Sequence, residues 1–201
     1  MASYEIAKNI TLTNEGVYRK GDKNDAETCF GINREKHPPE ESPILKEFWG
    51  IVDDWKRHLT KTESLEISLK NDVRLIQLRD SFYKSEYWDR IRGDEIKDEN
   101  QDLANQLFDS AVHNGIDFTV RCLQRCLGLL LKIDWKPDGK FGNVTLGHVQ
   151  RIEDEHDKSE ASNYITLKKM LWSLRGDKFI ELGEASEFHR SNQRGYFKRI
   201  W

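Results

Sequence analysis

The chain has 201 residues, 37% hydrophobic and 33% charged, with a net charge of -3. That is length for one domain, or one domain plus a small appendage, with a heavily charged surface. The near-balance of charge gives no electrostatic basis for nucleic-acid binding, which favours a basic surplus. No apolar run approaches the ~20 residues of a membrane span, and Met1 to Ile6 lacks the basic-then-apolar order of a secretory signal. The expectation is a protein made in the cytoplasm that reaches any outside substrate after cell release or by non-classical export.

In chain order, Ala7 and Ile10 predict a short first helix ending near Asn14. Glu15 stands at its end. The stretch Glu15-Gly16-Val17-Tyr18 leads into a polar loop bearing Asp22 and Asp25, then Thr28 and Phe30-Gly31-Ile32. Residues 16–32 are the clearest hairpin or loop candidate in the first half. A rigid element presenting one acid, with a hairpin bringing a second carboxylate and a hydroxyl opposite, is what glycosidic cleavage needs. Taken alone the pattern is weak, because most helix-end Glu residues are simply solvated. Residues 33–43 hold Pro38, Pro39 and Pro43 and read as an extended connector.

Ser42-Pro43 opens a helix in the preferred cap and first-turn order, carrying Leu45, Phe48, Trp49, Val52 and Trp55 at helical spacing. A third helix is predicted over 69–86, with Leu75, Leu78 and Phe82 on one face. A fourth, over 100–113, carries Leu103, Leu107, Phe108, Ala111 and Val112 and stops at Asn114-Gly115. A fifth follows at once with Val120, Leu123, Leu127 and Leu131, so these two pack as neighbours. Residues 134–145 form a polar turn region before a helix starting near Val144. The run Glu153 to Lys158 reads as a solvated link. A long helix follows over 162–185, and the aromatic end Tyr196-Phe197 to Trp201 is expected to dock on the body.

Cys29, Cys122 and Cys126 are an odd count without a disulfide framework. Cys122 and Cys126 are four apart on a predicted helix. No further ligand sits at a zinc-like spacing, so they read as small core residues, with no metal site.

Five stretches in this order resemble the N-acetylmuramidases of glycoside hydrolase family 108, which carry a C-terminal peptidoglycan-binding-like segment. Glu15 to Ile32 is similar to the family's Glu-Gly-Gly-Tyr, Asp loop and Thr-x-x-Gly-Ile. Phe82 to Trp88 resembles its Tyr-x-x-x-Tyr-Trp. Phe108-Asp109-Ser110-Ala111-Val112-His113-Asn114-Gly115 with Leu123-Gln124-Arg125-Cys126-Leu127-Gly128 resembles Phe-Asp-x-Ala-Val-Asn-x-Gly and Leu-Gln-x-x-Leu-Gly. Asp138-Gly139-Lys140-Phe141-Gly142-Asn143-Val144-Thr145 resembles the Asp-Gly-x-x-Gly-Pro-x-Thr of peptidoglycan-binding repeats, and Arg194 to Arg199 the family's Gly-Trp-x-x-Arg ending. Val17 stands where the family has its second Gly, Asp25-Ala26 where it has Gly-Gly, and the loop is one residue shorter.

The resemblance implies a mainly α, lysozyme-like helical fold with a small β-hairpin or loop after the first helix. It implies a muramidase region over 1–132 and a wall-binding-like helical segment over 133–201 on the same body. The implied activity is cleavage of the β-1,4 bond between N-acetylmuramic acid and N-acetylglucosamine, with peptidoglycan glycan strands as partner, no cofactor, and the chain a monomer. Glu15 is the candidate general acid. Asp25, then Asp22, is its candidate partner carboxylate, and Thr28 a hydroxyl that holds the water. Tyr18, Tyr87, Trp88 and Asn114 are candidate glycan contacts, Trp88 being equally consistent with core packing. His113 stands where the family has Asn and reads as a helix-end cation. The alternative reading is a catalytically weakened wall-binding protein. A helical interaction protein without a wall role is a third.

Overall fold

The structure, a computed structural model, describes residues 1–13, 15–21, 26–59, 64–154 and 162–198. The fold is mainly α with one small antiparallel sheet, as the sequence implies. Its contacts divide into two compact units, residues 8–86 and residues 1–7 with 87–201.

The unit of residues 8–86 carries the sheet. Helix α1 (Tyr4–Leu12) ends before Glu15, and Asn14 lies outside the described residues. Strands β1 (Tyr18–Arg19), β2 (Thr28–Cys29) and β3 (Ile32–Asn33) follow in the order β1-β2-β3. Tyr18 pairs with Cys29, and Cys29 with Ile32. The β2–β3 connection is a two-residue turn, Phe30 (φ 49°) and Gly31 (φ 79°). Both residues are left-handed, the geometry that matches strand twist in tight hairpins. Glycine adopts it freely, whereas Phe30 does so at a cost of about 1 kcal/mol or more. The surroundings hold Phe30 there. Its ring is 6% exposed under the Arg79 guanidinium, its N–H donates to the Val17 carbonyl at 2.8 Å, and its carbonyl accepts from the Tyr83 hydroxyl at 3.0 Å.

Helix α2 (Pro43–His58) begins as the Ser42-Pro43 pair predicts, with the Ser42 hydroxyl accepting from the Leu45 N–H at 3.2 Å. It buries Leu45, Phe48, Trp49 and Val52. The single helix expected over 69–86 is instead two, α3 (Leu65–Asn71) and α4 (Val73–Tyr83), followed by a π-helical turn over Lys84–Trp88. Asp72 causes the break. Its backbone is extended, and its carboxylate accepts from the Leu75 N–H at 2.9 Å, so it caps the new helix where a continuous one would run on.

In the other unit, α5 (Gln101–Asn114) ends at Gly115 (φ 90°) and α6 (Ile116–Leu131) begins directly after it. The two are packed neighbours, tied by the Ser110 and Thr119 hydroxyls 2.9 Å apart. Cys122 and Cys126 lie buried as free thiols on α6. Helix α7 (Asn143–Asp154) corrects one expectation. Glu153 is not in a solvated link but inside the helix and 2% exposed, because it falls on the same stripe as Leu146, Val149 and Ile152. Residues 155–158 of that run lie outside the described residues. Helices α8 (Asn163–Ala185) and α9 (Glu187–Phe197) pack together, with Tyr196 stacked on Phe179 at 5.1 Å between ring centroids. Within the described residues the tail docks through Tyr196 and Phe197, and residues 199–201 of the expected aromatic end lie outside them. No helix among the described residues is long and apolar enough to cross a membrane.

Candidate active site

Glu15 is half-buried at the entry to β1. Its N–H donates to the Leu12 carbonyl at 3.1 Å, which extends the end of α1 into the site. Its carboxylate lies against the β2–β3 turn. A side-chain carbon added at Gly31 would sit 2.8 Å from Glu15 Oε2, 3.1 Å from its carboxyl carbon and 2.6 Å from the Tyr83 hydroxyl. Only glycine leaves that space, and only glycine takes φ 79° without strain. The acid thus rests on a bare stretch of backbone, beside a buried tyrosine that itself fixes the turn through the Phe30 carbonyl.

Behind the strands is a charged cluster that sequence reading did not single out. Glu27 leads into β2. Its Oε1 accepts from the Tyr18 hydroxyl and from Lys56 Nζ, both at 2.8 Å, and its Oε2 from Arg34 Nη1 at 2.8 Å. Arg34 also forks onto Asp53, at 2.8 and 2.6 Å, with its guanidinium 4.9 Å over the Trp49 ring. The Arg34 N–H donates to the Glu27 carbonyl at 2.8 Å, so main chain and side chain bind the same pair. Burial pushes the Glu27 carboxyl up, but the hydrogen bonds from Lys56, Arg34 and Tyr18 outweigh it and hold the group below the usual range. Asp53, bonded to Arg34, is pulled down to about 2. The Tyr18 hydroxyl is pushed well above its ordinary value, first by burial and then by the Glu27 carboxylate. The Cys29 thiol is pushed up to about 12 by burial and is no nucleophile.

The remaining candidates distribute as follows. The Thr28 hydroxyl lies 3.3 Å from the Ala26 carbonyl and 3.5 Å from Arg19 Nη2, on the strand that follows Glu27. Asp22 and Asp25 lie outside the described residues. Tyr87, Trp88 and Asn114 belong to the other unit. Tyr87 is half-buried. Trp88 is fully buried, with its ring 5.8 Å from those of Tyr4 and Phe108 and its N–H on Asp94 at 2.7 Å. Gly93 closes over the indole face, where any side chain would collide. The Asn114 amide nitrogen is buried at the end of α5. The His113 ring packs at 5.4 Å on Phe179 and 5.1 Å on Tyr196. Among the described residues no three His, Cys, Asp or Glu side chains gather as metal ligands.

The Asp138–Thr145 segment has a different character. Gln124, 1% exposed on α6, fills its turn. Its amide oxygen accepts from the N–H groups of Asp138 and Gly139 at 2.9 and 3.0 Å. Its amide nitrogen lies 2.7 Å from Asp138 Oδ1 and 3.1 Å from both the Lys140 carbonyl and the Thr145 hydroxyl. Within the motif the Lys140 N–H donates to Asp138 Oδ1 at 2.9 Å and the Thr145 hydroxyl donates to the Lys140 carbonyl at 3.1 Å, so a hydrogen-bonded turn leads into α7.

No curated protein matches the chain. Residues 8–115, more than half of its length, match the family described as Glycosyl hydrolase 108. The matched span runs from the middle of α1 through Glu15, the sheet, Glu27 and α5 to Gly115, so Glu15, Gly31 and Tyr83 all fall inside it. The chain therefore belongs to the glycosyl hydrolase 108 family and is a lysozyme-like glycoside hydrolase of the class that acts on peptidoglycan.

Proposed function

We propose that the protein is an N-acetylmuramidase that cleaves the β-1,4 bond between N-acetylmuramic acid and N-acetylglucosamine, with Glu15 as general acid. The observation that carries the reading is the placement of the Glu15 carboxylate on the Gly31 turn. Cleavage must protonate a poor leaving oxygen, and the proton has to come from an acid held at one point relative to the bond. A carboxylate resting on backbone and flanked by Tyr83 has little rotational freedom, and the end of α1 and the sheet fix it from two sides.

In this reading the second carboxylate is Asp25, or else Asp22. It orients the attacking water or stabilises the oxocarbenium-like transition state. Thr28 supplies a hydroxyl for that water, and Tyr18 contacts the glycan. The Glu27 carboxylate is a poor candidate for the acid, since its cations keep it ionised.

The test is Glu15→Gln, read as release of reducing ends from purified sacculi with mass spectrometry of the products. The expected result is a loss on the order of 10³-fold with an unchanged melting temperature, and wild-type products ending in muramic acid. Equal activity in the variant overturns the assignment. A second reading, a weakened wall-binding protein, is favoured by Val17 and Asp25-Ala26 standing where the resembled pattern has glycines. It predicts sacculus binding by the wild type with no reducing ends released.

A further inference from the structure

The charged cluster behind the sheet takes side chains from every part of the site frame. Tyr18 comes from β1, three residues after Glu15. Glu27 comes from the entry to β2, and Arg34 from the residue after β3. Asp53 and Lys56 come from α2, one helical turn apart. The three strands are only two residues each, so their ladders supply few hydrogen bonds. Such a sheet is marginal by itself and needs packing against another element to hold its register. A one-residue slip between β2 and β3 would carry Gly31 away from the Glu15 carboxylate.

We propose that Glu27 is a positioning residue of the hydrolase: through Tyr18, Arg34 and Lys56 it locks the three strands onto α2 and so holds the Gly31 turn in place beneath Glu15. This rests on the reading of Glu15 as the general acid. Glu27 is suited to the task because its two oxygens bind three donors from three different elements, at 2.8 Å each. Its side chain is 14% exposed, so water competes weakly for those bonds. Asp53 completes the lock by holding Arg34 from the other side, at 2.6 Å, and by approaching Lys56 at 3.3 Å. Glu27 itself moves no proton. It acts on the reaction only by where it keeps the turn.

The experiment measures kcat and KM separately on solubilised uncross-linked glycan strands, beside calorimetric melting, for Glu27→Gln, Asp53→Asn, their double variant, Lys56→Arg, Tyr18→Phe and Glu15→Gln. Glu27→Gln is expected to lower kcat about tenfold with KM within about twofold, because a displaced acid loses transition-state contact more than substrate binding. Asp53→Asn should fall in the same direction. The double variant should be no worse than the poorer single, since both act through one lock. Lys56→Arg, which keeps the charge on Glu27, should retain kcat within about twofold. Should Glu27→Gln fail to fold, Tyr18→Phe removes one hydroxyl from the same carboxylate and is expected to lower kcat about threefold. Unchanged kcat in both Glu27→Gln and Tyr18→Phe, with Glu15→Gln dead, overturns the proposal alone. A Glu27→Gln variant as dead as Glu15→Gln, beside a fully active Asp53→Asn, also overturns it, because Glu27 would then act on the substrate directly. An active Glu15→Gln overturns the underlying reading.

Discussion

Two turns in this protein look alike and stand in different surroundings. Gly31 (φ 79°) and Gly139 (φ 75°) both sit in left-handed turns within polar, Asp-bearing stretches, and each has a carboxylate lying against its bare backbone. At Gly139 the carboxylate is that of Asp117. Arg121 binds both of its oxygens, at 2.9 and 2.8 Å, and Gln124 fills the rest of the turn. At Gly31 the carboxylate is that of Glu15, and the flanking group is the hydroxyl of a buried tyrosine. Asp117 is held in an ion pair with Arg121, whereas the Glu15 carboxylate lies where the Gly31 backbone and the Tyr83 hydroxyl crowd it. The family match covers the first turn and stops short of the second.

The largest effect that tests this contrast is expected from Gly31→Ala. The added carbon would crowd Glu15 Oε2 at 2.8 Å and the Tyr83 hydroxyl at 2.6 Å, in a backbone conformation alanine resists. An acid displaced by about 1 Å costs on the order of 10²-fold in rate. The backbone penalty adds about 1–2 kcal/mol of lost stability. Kinetics and calorimetry on the same preparation separate the two. If activity falls no more than the unfolded fraction explains, the turn is only structural.

Gly139→Ala should reverse that pattern. The new carbon meets the Asp117 carboxylate, but that side chain is 70% exposed and can swing away. The cost is then mainly the positive φ, about 1–2 kcal/mol, or a fall of roughly 2–8 °C in melting temperature for a chain of this size. The rate per folded molecule on soluble glycan strands should stay within about twofold of wild type. A loss of rate matching that of Gly31→Ala would erase the distinction between the two turns.

Local patterns made most of the scaffold legible. The stripe Leu45, Phe48, Trp49 and Val52 is buried as its spacing predicts, and Ser42-Pro43 opens α2. Asn114-Gly115 ends α5. The misreadings have particular causes. Asp72 can cap a helix or ride within one, and its side chain chose the cap, splitting the helix expected over 69–86. Glu153 was masked by its acidic neighbours, although it continues the buried three-to-four spacing of Leu146, Val149 and Ile152. At the candidate site, Glu15 drew notice in the sequence because a glycine-bearing loop follows it directly. Glu27 did not. Its partners Arg34 and Lys56 lie 7 and 29 residues away, and Asp53, which holds Arg34, is 19 residues from that arginine. No local pattern announces a contact closed by folding.

The smallest effect separates the two units by their response to acid. In residues 8–86, Glu27 and Asp53 have lowered carboxyl values in the folded state, Asp53 down to about 2 from an ordinary 3.8. A lowered value means the ionised form is favoured by folding. That contribution is present above the ordinary value and is lost as pH falls from about 4 through 2. In the other unit Glu153 is shifted the opposite way. Burial raises its carboxyl, against the pull of the Lys97 N–H at 3.2 Å. Its folded form prefers the proton, so its contribution is complete below the ordinary value and is lost as pH rises through the raised one. Melting temperatures of Asp53→Asn and Glu153→Gln across pH 7 to 2 read the two signs. Asp53 is partly exposed, so its contribution is discounted for solvent to about 1 kcal/mol. Asp53→Asn should then melt roughly 2–4 °C below wild type at pH 7, the gap closing by about pH 2. Glu153→Gln should melt no lower than wild type at pH 7, because the amide never carries the buried charge, and any advantage should shrink as the wild-type carboxyl takes up its proton. If both gaps move the same way with pH, the two regions do not differ in how they hold their acids.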